Sequence, residues 1–206
     1  ETSKYFSLKK SIYINLRWIA TIGQLVTVNS VYFIFNFQSN LILENLIILI
    51  GIISNLCLIF INKNTQLLDR TAFFFLLMDI LQLSFLIYLT GGIANPFSIF
   101  LIIPAIFSTA NLGLRSNFLL VVITVLIILI LTFFFNPLPY PLNENFNISF
   151  HYYYSIPLAL IIALIFLNYF SLTFGVQSRL RKEALNKMEE IMSKEHELLS
   201  LGGQAA

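Results

Sequence analysis

Six long apolar runs, separated by short polar interruptions, organise the first 175 of 206 residues. A helix crosses a bilayer core with roughly 20 mostly apolar residues at about 1.5 Å each. Segments at about 12–35, 41–61, 72–90, 97–114, 117–135 and 152–175 meet that length, and Pro104 is expected to kink the fourth. The pattern changes after Phe174-Gly175. The stretch VQSRLRKEALNKMEEIMSKEHELLSLGG is charged, rich in helix formers and free of proline. Leu185, Met188, Met192 and Leu199 recur there at three- and four-residue steps. That spacing predicts a cytoplasmic amphipathic helix continuing out of the sixth span, of the kind that forms a short parallel coiled coil. Glu195 falls where an apolar residue is expected, so a surface helix of a following domain is the alternative. The expected organisation is an all-α, six-helix transmembrane domain at 1–175 followed by a coiled-coil-like signalling or dimerisation helix at 176–206.

Charge placement predicts the orientation. The twelve basic residues are Lys4, Lys9, Lys10 and Arg17; Lys63 and Arg70; Arg115; and Arg179, Arg181, Lys182, Lys187 and Lys194. With six spans, all of them fall on the side shared by the two termini, and the opposite loops at 36–40, 91–96 and 136–151 carry none. Basic residues mark the cytoplasmic side, so both termini are expected inside. The outer loop NPLPYPLNENFN cannot continue a helix, and the three tyrosines of HYYYSIP suit a membrane interface.

Composition agrees. The chain is 58% hydrophobic and 11% charged, against about 25% charged residues in soluble domains, too few to cover a water-facing surface. A net charge of +2 argues for no acidic partner, and no nucleic acid is expected. The single cysteine, Cys57, excludes an internal disulfide or a CxxC motif and reads as a small buried hydrophobe. His151 has no second ligand at metal spacing, so no metal is expected. The chain opens with Glu1 and closes on LGGQAA, and both ends read as cuts in a longer protein.

The interruption GGIANPF, between the third and fourth runs, has two readings. As structure, Gly91 or Gly92 supplies a left-handed helix stop, Asn95 an N-cap and Pro96 a first helical residue. As chemistry, a helix starting at Pro96 offers backbone N–H groups near Phe97 and Ser98 at its positive end. Two glycines would admit a flat ring, and Phe97 would stack on it. A quinone headgroup fits those features. Asp79 and Gln82, three residues apart on one face of the third span, are either a proton partner and polar coupling to that turn or a clamp bonded to neighbours such as Asn55 or Gln24. At 1.5 Å per residue, Asp79 lies roughly 18 Å from Gly91, beyond contact with a ligand there.

G-G-x-x-N-P-F in this position resembles the quinone-sensing heptapeptide of the RegB/PrrB family of redox-responsive sensor histidine kinases. The surrounding MDILQLSFLIYLTGGIANPF and the six-span layout with its charged helix are similar to that family's sensor half. The resemblance implies quinone binding at Gly91, Gly92, Asn95, Pro96 and Phe97, with oxidised quinone favouring the kinase-off state. It also implies a homodimer in the bacterial inner membrane, a partner response regulator, and ATP and Mg used only by a kinase part beyond this chain. His196 begins a His-Glu-Leu run but lacks the proline of a phosphoacceptor motif, and Leu-Gly-Gly-x-Ala-Ala in the family comes just before the true one. This stretch alone is therefore expected to have no catalytic residue. The rival readings are a small transporter or channel, disfavoured by the lack of inverted repeats, and a purely structural dimerising anchor.

Overall fold

The computed structural model describes residues 8–37, 39–61, 66–139 and 150–204. It is mainly helical: α1 (Lys10–Phe33), α2 (Leu41–Ile61), α3 (Asp69–Leu89), two 3-10 turns (Gly92–Ala94 and Pro96–Leu101), α4 (Ile102–Asn111), α5 (Leu114–Phe133) and α6 (Phe150–Gln204). A two-residue antiparallel pair, β1 (Leu8–Lys9) with β2 (Gln66–Leu67), ties the starts of α1 and α3 together. No alternating pattern announces it, because two residues are too few to show one. Of the expected loops and flanks, Lys4, Lys63 and the outer segment 140–149 lie outside the described residues.

Among the described residues, four helices are long and apolar enough to cross a membrane: Leu41–Phe60, Asp69–Leu89, Leu114–Phe133 and Tyr153–Gly175. Two of the six expected spans do not meet that measure. In α1, Lys10, Arg17, Gln24 and Asn29 dilute the apolar character. The fourth run is shorter, at Pro96–Thr109, and changes from 3-10 to α-helix at Leu101–Ile102. Pro104 stands in the first turn of α4, just past that change of helix type.

Two compact units divide the chain, Glu1–Asn168 and Tyr169–Ala206. In the first, α1 packs on α2, α2 on α3, and α3 and α4 both on α5. Their shared core runs from Tyr13 and Leu58 through Ile80 and Ile87 to Ile128 and, from α6, Leu164. Outward-facing positions are as apolar as the core: Ile42, Phe60, Phe85, Phe118 and Phe166 are all largely exposed. An apolar girdle of that extent has no place in water and suits hydrocarbon, which makes this a helical membrane protein. Cys57 belongs to that exterior: it is exposed on α2, not buried as its apolar neighbours suggest. In the second unit, the helix exposes Leu185, Met188, Ile191 and Met192, and Lys194 pairs with Glu190 one turn away at 2.7 Å.

Candidate functional site

The GGIANPF turn is built as its residue types require. Thr90 closes α3, its N–H bonded to the Ile87 carbonyl at 3.1 Å. Gly91 and Gly92 then both take positive φ, 105° and 58°, the left-handed region open to glycine. Asn95 caps the next turn: its Oδ1 accepts from the Phe97 N–H at 2.9 Å, and Pro96 follows as the first helical residue. The Asn95 Nδ2 donates to the Thr90 carbonyl at 3.0 Å and to the Thr90 hydroxyl at 2.6 Å. Every polar group of the Asn95 side chain is thus spent inside the turn, holding the end of α3 to the start of the next helix.

Two features expected of an open ligand platform are corrected by this geometry. The N–H groups of Phe97 and Ser98 are not free: the first is capped by Asn95, and the second donates to the Asn95 carbonyl at 2.9 Å. The faces of the two glycines are covered as well. A Cβ on Gly91 would strike Leu138, including its Cα at 2.9 Å. One on Gly92 would strike Phe135 and lie 2.8 Å from the Leu131 carbonyl oxygen. The glycines are there for the close approach of the chain leaving α5, which also bonds back from the Asn136 N–H to the Tyr88 carbonyl at 2.9 Å. What remains accessible is apolar: Pro96, Phe97, Ile99 and Phe100 are exposed. Phe97 is 40% exposed and stacks on Phe100, with centroids 5.9 Å apart and planes at 27°.

Gly92→Ala is therefore expected to destabilise the protein by about 1–3 kcal/mol from the backbone alone, before the collision with Phe135 is relieved. Gly23→Ala meets nothing within 4 Å and is expected to be neutral or stabilising. Thermal unfolding of the detergent-solubilised variants checks both.

Asp79 and Gln82 reach away from the turn, toward α1. Asp79 Oδ2 accepts from the Tyr13 hydroxyl at 2.6 Å, and its Oδ1 accepts from Arg17 Nε at 2.8 Å and lies 2.7 Å from Nη2. Nη2 also donates to the Ser54 hydroxyl at 2.9 Å, and the guanidinium lies 5.3 Å from the Phe75 ring centroid. Gln82 donates to Gln24 at 2.8 Å, and Gly51 makes room for its amide. Gln24 is thus a partner, whereas Asn55 donates instead to the Ile14 carbonyl at 3.4 Å. Charge placement alone assigns Arg17 to the flanks, but it stands about 10 Å into α1, buried, as the counter-ion of Asp79. An arginine inside one apolar run and an aspartate inside another is the signal for this pair.

A second polar cluster carries no motif. Ser108 and Thr109 of α4, Asn117 of α5 and Asn168 of α6 are all buried and mutually bonded. Asn117 Oδ1 is approached by the Ser108 hydroxyl at 2.6 Å, the Thr109 hydroxyl at 3.2 Å and Asn168 Nδ2 at 3.3 Å. Asn168 Nδ2 also donates to Thr109 Oγ1 at 2.9 Å. A carbonyl oxygen has two lone pairs, so three donors compete for it. Both hydroxyls have an alternative acceptor in the Ala105 carbonyl, at 2.7 and 3.3 Å. The junction therefore admits more than one hydrogen-bond arrangement at nearly constant packing. It joins the far end of the helix that starts at the turn to α6.

Known proteins give one informative likeness. The chain is 28% identical over 192 residues to sensor histidine kinase RegB of Cereibacter sphaeroides, a match covering 93% of this chain and 42% of that protein. The chain thus spans less than half the length of this relative, which belongs to the family that the GGIANPF turn resembles. No protein-family profile matches the chain, and no solved structure matches it.

Proposed function

We propose that this chain is the membrane sensor region of a bacterial histidine kinase, with six spans, both termini cytoplasmic, and the GGIANPF turn as its quinone-responsive element. The similarity to RegB over nearly the whole chain supports the kinase assignment. The quinone assignment rests on one observation: an exposed, stacked Phe97–Phe100 pair beside a turn whose own polar groups are satisfied. A ring laid on such a pair gains stacking and apolar contact. Reading its redox state further requires that it shift the turn, because the Phe97 and Ser98 donors are already engaged. Gly91, Gly92, Asn95 and Pro96 then act by fixing the turn, and Phe97 by touching the ligand. The lever Pro96–Asn111 and the Asn117–Asn168 junction supply a path to α6 and to a dimeric kinase that phosphorylates its response regulator.

A useful switch needs differential affinity of a few kcal/mol between two packings. In proteoliposomes holding the full-length kinase, Phe97→Ala is expected to weaken the response of autophosphorylation to added quinone by about tenfold in half-maximal concentration, the worth of one stacking interaction. An unchanged response would remove the turn from the sensing reaction. Regulation that survives replacement of the first five spans by an unrelated anchor would favour the structural-anchor reading.

A further inference from the structure

At the end of the bundle opposite the GGIANPF turn, α3 and α5 begin side by side. Asp69 clips them together: one carboxylate oxygen accepts from the Gly113 N–H at 2.7 Å and the other from the Ser116 hydroxyl. Beside that clip lies an open groove lined by Arg70, Phe73 and Phe74 of α3 and by Ser116 and Leu119 of α5. The two helices repeat one arrangement. Arg70 stands one turn before Phe74 and Arg115 one turn before Leu119, about 6 Å apart along each axis. Phe74 and Leu119 are 63% and 51% exposed, so their apolar faces line the groove rather than fill the core. Both arginines are exposed, and among the described residues neither forms an ion pair.

We propose that this groove binds an anionic phospholipid, the phosphate held between Arg70 and Arg115 and one acyl chain laid along Phe74 and Leu119. The order of groups is the one such a lipid presents: charge at the rim, hydrocarbon one turn deeper. The first-turn N–H groups of two helices add partial positive charge on the same side. Asp69 keeps its negative charge, but both its oxygens are held in the clip, and the two arginines outnumber it. A zwitterionic choline lipid would bring a cation to two arginines and is disfavoured. The occupant would staple the starts of α3 and α5 in register with the membrane surface. The inference rests on the membrane-spanning reading and is independent of quinone sensing.

Native mass spectrometry of the full-length protein in detergent, with phosphatidylglycerol or phosphatidylcholine at equal mole ratio, tests it. Phosphatidylglycerol is expected to be retained at least about tenfold better, and R70Q/R115Q to abolish that preference. R70K/R115K is expected to keep it, which separates lost charge from lost fold, and K187Q/K194Q on the exposed part of α6 to leave it unchanged. F74A is expected to weaken retention of the lipid, and excess glycerol phosphate not to displace it. Equal retention of the two lipids, or a preference indifferent to R70Q/R115Q, would overturn the proposal. Displacement by glycerol phosphate would overturn it in favour of a free-phosphate site. Because the readout is lipid retention, failure here leaves the kinase response to quinone untouched, and the converse holds.

Discussion

Arg17→Leu is expected to leave little folded protein in the membrane, Asp79→Leu likewise, and the double variant R17L/D79L to fold. Each single change strands a charge where the Arg17 side chain is only 6% and that of Asp79 20% exposed. Removing one member of a buried pair costs about 3–5 kcal/mol, whereas replacing both by apolar groups is often neutral. Against a total stability of about 5–15 kcal/mol, the single loss is severe. In the Arg17 variant the carboxylate keeps only the Tyr13 hydroxyl, and in the Asp79 variant the guanidinium keeps only Ser54 and its aromatic neighbours. Arg17→Lys does not rescue fully, because an ammonium lacks the planar fork that reaches Asp79 and Ser54 together. The yield of monodisperse protein after extraction and its melting temperature measure the effect. Single variants as stable as the double would show that the pair contributes nothing.

How much of this is legible in the sequence depends on how local the cause is. The helices of the second, third, fifth and sixth runs follow from apolar length, and their starts and the ends of the first three fall within a few residues of those expected; α6 continues through the charged stretch, where a helix continuing out of the sixth span is expected. Asn95 and Pro96 cap the turn because capping is set by neighbours two residues away. The two glycines read as a helix stop, but what forbids a side chain there is Leu131, Phe135 and Leu138, some forty positions later. No local pattern carries that contact. Arg17 illustrates the opposite failure: counting charge by side of the membrane treats as a flank a residue that tertiary pairing pulls inside. Cys57 likewise sits in an apolar sequence but on the outward face, because a run apolar all round does not say which stripe meets the core. The Ser108, Thr109, Asn117 and Asn168 cluster is made of residues too common in spans to announce themselves. Small polar residues in adjacent helices seek one another, but which ones meet is decided by packing.

That cluster carries the largest expected effect on signalling. Asn168→Leu is expected to fold, since Ser108 and Thr109 retain Asn117 and the Ala105 carbonyl as partners. Its cost is about 1–3 kcal/mol, for the hydrogen bonds that the carboxamide no longer makes. If the chain is the quinone-responsive sensor proposed above, autophosphorylation of the full-length protein carrying this change is expected no longer to follow quinone, its ratio between oxidised and reduced conditions falling to near one. The reason is geometric: the helix begun at Pro96 ends beside Asn168, and the three donors on Asn117 Oδ1 give the junction a choice of arrangements that a leucine cannot share. Coupling of this kind requires an element with two states that both sites bias, and the competing donors are the element proposed here. Thr109→Val, which removes one competitor and keeps the volume, is expected to shift the ratio without abolishing it. If Phe97 and Asn168 act in one path, F97A/N168L should respond no less than N168L alone, whereas independent contributions would add. An N168L kinase with a full quinone response would place the route to α6 elsewhere, through the apolar packing of Leu160 and Leu164.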